Sequence, residues 1–357
     1  MSAKSVGFNG TTPSEGAMVA SDSRFQILAL SGGGYRGLFT AKILAEIEEQ
    51  IQAPIASRFD LIAGTSIGGI LALALALEIP AKTMVQLFHA HGEEIFRKRF
   101  SGLGLIRSQY SNEPLMQHLS SDAVFGARLL GECAHPVIVP AINYTRGLPV
   151  VFKTPHHEDF KTDHKHRIVD IAMATSAAPL IFPRYTFNDC QYVDGGLFAN
   201  APGLLGVHES HKFMGVPRVG ADLRVLSIGT MSSKFTVNPK RNRAGGTFDW
   251  GGWSPVNAPK RLFGLGISVQ ESMSSHMLRH VMPDGKYVHI DDVLTDERAQ
   301  AVALDKADCA AREVLLGSGA EAAKDFVGSA AFRTFMDYTA RAPIYHHGPL
   351  ANIKGAA

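Results

Sequence analysis

Phe59-Asp60-Leu61-Ile62-Ala63-Gly64-Thr65-Ser66-Ile67-Gly68 runs from a strand-length apolar segment through a Gly-x-Ser-x-Gly pentapeptide into Ile67 to Leu77, an Ala- and Leu-rich stretch that reads as a buried helix. A serine at such a strand-to-helix junction sits on a cramped turn, and Gly64 and Gly68 on either side remove the Cβ atoms that would collide there. The hydroxyl of Ser66 is thereby held out at the end of a sheet. The helix that follows aims its unpaired N–H groups and the positive end of its dipole where an oxyanion would develop. A Gly/Ser turn joining two core elements is the plainer alternative for an isolated pentapeptide, and the flanking strand and helix weigh against it.

Upstream, Phe25 to Leu30 is a second strand-length apolar run, which opens directly into Ser31-Gly32-Gly33-Gly34-Tyr35-Arg36-Gly37 before Leu38 to Gln50 takes up helical periodicity. Glycine-rich loops at a helix N-terminus bind anions because their amides can converge on one spot without interference from side chains. The glycines fit neither the G-x-G-x-x-G dinucleotide spacing nor a Walker loop, so an oxyanion is preferred to a phosphate as the guest. The amides of Gly32, Gly33 and Gly34 are therefore expected to form an oxyanion hole, with Arg36 adding positive charge unless it is simply solvated.

Four ordered motifs carry a family resemblance. The glycine loop, the Ser66 elbow, Ala172-Met173-Ala174-Thr175-Ser176-Ala177-Ala178-Pro179-Leu180-Ile181-Phe182-Pro183 and Asp194-Gly195-Gly196-Leu197-Phe198-Ala199-Asn200-Ala201-Pro202 resemble, in order and spacing, those of the patatin-like phospholipases. With Ser227-Ile228-Gly229-Thr230 after a further strand, the resemblance spans roughly residues 25 to 230. It implies an α/β fold, a three-layer α/β/α core with a mainly parallel sheet and additional C-terminal helices. It also implies a lipid acyl hydrolase with a Ser-Asp dyad, in which Ser66 is the nucleophile, Asp194 the base, and Gly33 and Gly34 line the oxyanion hole.

The dyad makes chemical sense by itself, because a serine hydroxyl is a poor nucleophile until a group within hydrogen-bond reach takes its proton. An aspartate with an ordinary pKa near ~3.9 is a weak base, so Asp194 should work best where partial burial raises that value. Gly195 and Gly196 let the backbone turn sharply beside it, although Asp-Gly-Gly alone would equally describe a tight turn. So read, the reaction needs neither cofactor nor metal. A Ser-His-Asp triad is the rival chemistry, with His208, His211, His276, His280 and His289 downstream of Asp194 as candidates, none in a strong local signature. A catalytically silent ligand-binding module is a third possibility, which leaves the elbow serine and its paired base without a purpose.

A length of 357 residues and a hydrophobic content of 45% suit one large α/β domain, expected over residues 23–342 between a loose arm at 1–22 and a tail at 343–357. The formal charge of +2 gives no bulk attraction to nucleic acid, and no DNA or RNA partner is expected. Cys133, Cys190 and Cys309 are too few and too scattered for a disulfide framework or a zinc site, which points to a reducing compartment. The arm lacks the apolar core of a secretory signal, and Leu61 to Leu77, the longest uncharged apolar stretch, is interrupted by Gly64-Thr65-Ser66 and Gly68-Gly69. A cytoplasmic enzyme that visits the inner membrane peripherally is the expectation. Further along, Ala81 to Phe100 and Glu113 to Phe125 read as helices, Pro136 to Tyr144 and Leu148 to Phe152 as a hairpin, and Ala258 to Met282 and Asp296 to Ala342 as largely helical. His156, His157, His164 and His166 fall in a charged loop whose spacings fit no familiar metal site.

After Thr230 the composition changes: Lys240, Arg241, Arg243, Lys260 and Arg261 interleave with Trp250 and Trp253 among many glycines and prolines. Such a loop could stack a flat base while neutralising phosphates, lie on an anionic lipid surface, or serve as an ordinary surface loop or subunit contact. Ser31 to Phe39 and the chain length resemble, more narrowly, the bacterial patatin-like effectors of cyclic-oligonucleotide antiphage signalling, in which a cyclic dinucleotide turns on a phospholipase that degrades the inner membrane. That resemblance implies a cyclic dinucleotide as activator, membrane phospholipid as substrate, a second pocket for the phosphate-bearing ligand, with residues 231–261 as its candidate region, and a possible homo-oligomer.

Overall fold

The computed structural model describes residues 24–99, 108–231, 258–292 and 302–351. In chain order the strands are β1 Arg24–Leu30, β2 Leu61–Gly64, β3 Val137–Asn143, β4 Leu148–Lys153, β5 Tyr185–Phe187, β6 Cys190–Asp194, β7 Asp222–Ile228 and β8 Tyr287–Ile290. The helices are α1 Gly37–Ile51, α2 Ile67–Ala76, α3 Ala81–Ile95, α4 Glu113–Leu119, α5 Ile168–Thr175, α6 Gly196–Ala199, α7 Gly203–Phe213, α8 Ala258–Val281, α9 Cys309–Gly328 and α10 Ala330–Met336.

All but the first residue of β1 is buried, and successive residues serve opposite faces of the sheet. Leu28 and Leu30 join one apolar cluster with residues of α1, α2, α3, α5 and α9, whereas Phe25, Ile27 and Ala29 join another with Val207 of α7 and Leu278 of α8. A strand buried on both sides is the signature of a central parallel strand between two helical layers. Accordingly β1 runs parallel to β2 on one side and to β7 on the other, within the order β5-β6-β3-β2-β1-β7-β8. This is the expected α/β/α arrangement, with a mainly parallel centre and helices after the last strand.

The pairing of β3 positions the site. Its Ile138–Asn143 stretch pairs antiparallel with β4, as expected of the hairpin, which occupies one edge. The opposite edge is shared: β2 pairs parallel at Val137 and Ile138, and β6 pairs antiparallel at Ala141 to Asn143. Because their directions are opposed, the C-terminal ends of β2 and β6 point at each other across a short gap. Pro140 stands in that gap, pairing with neither strand, and its carbonyl accepts a hydrogen bond from Thr175 Oγ1 at 2.7 Å. A proline is tolerated there because the position lacks a strand partner on that edge.

Two helices are shorter than expected. Chain order predicts one from Glu113 to Phe125, but it ends at Leu119, where Ser121 Oγ donates to the His118 carbonyl and short polar side chains compete with the helix ladder. The helix starting at Ala81 ends at Ile95, and Phe96 turns out of it into an aromatic cluster with Tyr35, Tyr110 and Phe182. Among the described residues no helix is long and apolar enough to cross a membrane.

Candidate active site

Ser66 follows β2 and caps α2 with φ 56° and ψ −125°, outside the ordinary range for an L-residue. Two close backbone approaches force the turn. A Cβ at position 64 would lie 2.1 Å from the Gly68 carbonyl oxygen, and one at position 68 would lie 2.3 Å from that of Leu30. The Ser66 amide is held by Thr175 Oγ1 at 3.0 Å, so the same threonine fixes both the elbow and Pro140 of β3.

Asp194 is the last residue of β6 and meets Ser66 across the gap between the strand ends. Ser66 Oγ donates to Asp194 Oδ2 at 2.6 Å, while Oδ1 accepts the Gly196 amide at 2.7 Å. Both side chains are buried. Burial pushes the Asp194 carboxyl up to about 6, against the opposing pull of the hydrogen bonds from Ser66 and Gly196. A carboxylate so placed accepts a proton more readily near neutral pH than an exposed one does.

The glycine loop divides its amides in a way the sequence did not reveal. Gly32 N–H donates to the Asn200 carbonyl at 3.0 Å, so the expectation that it joins the oxyanion hole is corrected: that amide is already used. The Gly32 carbonyl accepts from Asn200 Nδ2 at 3.1 Å and Thr230 Oγ1 at 3.0 Å. The Gly33 carbonyl accepts from the Arg36 amide at 3.2 Å and from Arg36 Nε at 3.5 Å. In a trans peptide the N–H points opposite to the carbonyl. Fixing these two carbonyls therefore fixes the Gly33 and Gly34 N–H groups in the other direction, and neither donates to another group among the described residues. Both glycines line the cavity that holds Ser66 and Asp194.

Arg36 also departs from expectation. It is buried behind the loop, where Nη1 donates to the Met231 carbonyl at 2.9 Å, and it is absent from the cavity lining. Its charge faces Glu271 and Asp291, which partly offset the burial that lowers its pKa. Arg36 thus braces the loop from behind and does not line the pocket. Asn200, Thr230 and Thr175 are the supporting residues that sequence reasoning missed. All three stand inside the motifs that carry the family resemblance, but nothing in those motifs gave them a supporting role.

The cavity is walled mainly by hydrocarbon, including Phe88 and Ile95 of α3, Leu115 of α4, Phe182, and Phe263 and Ile267 of α8. Its polar side chains are few: Ser66, Asp194, Ser176 and Asn200. An apolar cavity lined by the Ser66 hydroxyl, the Asp194 carboxyl and the two glycines with free amides suits an acyl chain whose carbonyl rests against those polar groups. None of the candidate histidines lines it: His211 bonds the Val216 carbonyl, His280 Nδ1 bonds the His276 carbonyl with the two rings tilted against each other, His289 faces Asp291, and His208 lies against Phe213.

In the loop considered for a metal, His156 is buried and bonded to Glu209 and Thr154. The described group that could hold a cation is instead His91, Glu94 and His118, with ligand atoms within 4.8 Å of one another at the surface of α3 and α4. Lys240, Arg241, Arg243, Trp250 and Trp253 lie outside the described residues, as does the side chain of Lys260; Arg261 is exposed near the start of α8.

Residues 28–204 match the Patatin family, described as patatin-like phospholipase. A cGAMP-activated phospholipase of Pseudomonas aeruginosa is 43% identical over 341 residues, covering 93% of this chain and 98% of its own. Proteins of the same description from Escherichia coli and Vibrio cholerae are 33% and 32% identical, covering 84% and 89% of this chain and 89% and 96% of theirs. The family match, and relatives similar along nearly their whole length, establish that this chain belongs to the patatin-like phospholipases.

Proposed function

We propose that Ser66 and Asp194 are the catalytic dyad of a phospholipase that cleaves fatty acyl esters of membrane glycerophospholipids and is activated by cGAMP. The observation that carries the chemistry is the 2.6 Å contact between Ser66 Oγ and Asp194 Oδ2 in the wall of a mainly apolar cavity. Ser66 Oγ attacks the ester carbonyl carbon as its proton passes to Asp194 Oδ2. The Gly33 and Gly34 amides receive the oxyanion. Collapse expels the lysolipid alkoxide, which takes the proton from Asp194 and leaves an acyl-serine. A water molecule then attacks this ester, gives its proton to Asp194, and the fatty acid departs as Ser66 recovers the proton.

Since the proton acceptor must be ionised, hydrolysis of a soluble ester should rise as pH increases through about 6 and level off above it. Initial rates between about pH 3 and 8 check this; a limb centred near the ordinary aspartate value would contradict a buried base.

Activation by cGAMP is supported by the descriptions of the three relatives and by their near full-length similarity. With the substrate in a bilayer, the enzyme works at the membrane surface. Leu180, Leu197 and the outer face of α8, with Leu262, Val269, Met273 and Met277, present apolar side chains to solvent that suit such contact. The test is purified protein with mixed phospholipid vesicles, with and without cGAMP, followed by mass spectrometry of released fatty acid. Release only with cGAMP is the expected result. Release independent of cGAMP removes the activation, and no release under either condition removes the phospholipase reading.

A further inference from the structure

Glu271 lies in the middle of α8, on the side that carries Ile267, Ser274 and Leu278 into the protein. An acidic residue on a buried stripe calls for a reason. Its Oε1 accepts from Asn200 Nδ2 at 2.6 Å. The same amide nitrogen donates its other hydrogen to the Gly32 carbonyl at 3.1 Å. A primary amide can face a neighbour with either its oxygen or its nitrogen, and hydrogen-bond partners decide which. Burial pushes the Glu271 carboxyl up to about 7, and once ionised it can only accept, so it then selects the orientation in which Asn200 offers N–H groups to both neighbours. The reverse orientation would set the Asn200 oxygen against the Gly32 carbonyl oxygen. Glu271 also faces the Arg36 guanidinium, which braces the Gly33 carbonyl. Both peptides that aim the free amides are thus steadied by groups that Glu271 touches or attracts.

From this geometry we infer that Glu271 is a positioning residue for the oxyanion hole, fixing the direction of the Gly33 and Gly34 amides through Asn200 and Arg36. The inference rests on the proposed Ser66 and Asp194 chemistry and adds a requirement that those two residues do not impose: α8 must be docked for the hole to be formed. Donors of this kind act through their aim, since their hydrogen bonds strengthen only as the oxyanion appears. Misaiming them lowers kcat and leaves ground-state binding almost unchanged.

The test compares E271A, E271Q and N200D with the unmodified full chain on a soluble ester at saturating cGAMP, with S66A as a control. E271A should lose about 10- to 100-fold in kcat with KM within about twofold. E271Q, which can still present an oxygen to Asn200, should recover most of that loss. N200D, which opposes an oxygen to the Gly32 carbonyl, should fall at least as far as E271A. Unchanged kcat in E271A, or equal damage in E271A and E271Q, overturns the proposal. Should E271A fail to fold, the near-isosteric pair E271Q and N200D decides: similar kcat in the two overturns it. S66A activity within tenfold of the unmodified enzyme separately removes the underlying dyad, so the two failures are distinguishable.

Discussion

Ser66→Ala should lower fatty acid release by about 10⁴-fold or more while leaving the protein folded. The size follows from the two-step route: without Oγ no acyl-serine can form, and the remaining amides can assist only a direct attack by water. Alanine removes one hydroxyl from a buried site, so the thermal midpoint should stay within a few degrees. Fatty acid release by mass spectrometry and a thermal melt check both halves. Activity within tenfold of the unmodified enzyme would mean that another residue is the nucleophile.

Asp194→Asn is expected to cost about 10³- to 10⁴-fold, because the amide keeps the shape of the side chain but cannot take the serine proton. It should also abolish the rise of activity through about pH 6, a result that separates a base from a merely structural carboxylate. Stability should move the other way. The folded carboxyl holds its proton more tightly than the unfolded one, so its contribution to stability is present at low pH and is lost as pH rises through about 6. Near neutral pH an ionised Asp194 therefore weighs against folding, by up to about 3 kcal/mol, and an asparagine carries no such penalty. An equal or higher melting temperature in an almost inactive protein is the expected outcome.

What could be read from the chain beforehand was whatever is encoded locally. The elbow at Ser66 is written in adjacent residues, because a strand, two glycines and a buried helix determine where the hydroxyl stands. Asp194 was legible from its place in a motif. The roles of Gly32 and Arg36 were not, because the direction of a peptide depends on groups distant in sequence: Asn200 holds the first, and the Met231 carbonyl draws the second away from the pocket. Glu271 escaped notice for the same reason. Its helix was expected, but which face of it would meet Asn200 depends on packing. The helix expected through Phe125 failed at Ser120-Ser121-Asp122, where short polar side chains outweighed a favourable apolar pattern.

The shared edge of β3 has a further consequence. Ser66 and Asp194 hang from two different strands, and the spacing between them is set by a third whose side chains take no part in the proposed reaction. The backbone of β3 acts as a ruler, with β2 reaching one graduation and β6 another. Exchanging one apolar residue for another along Val137–Asn143 leaves the graduations where they are. Deleting or inserting a single residue there shifts one reader by about 3.3 Å and turns its side chains to the opposite face. The chemically silent strand is thus the part of this enzyme least able to tolerate a change in length.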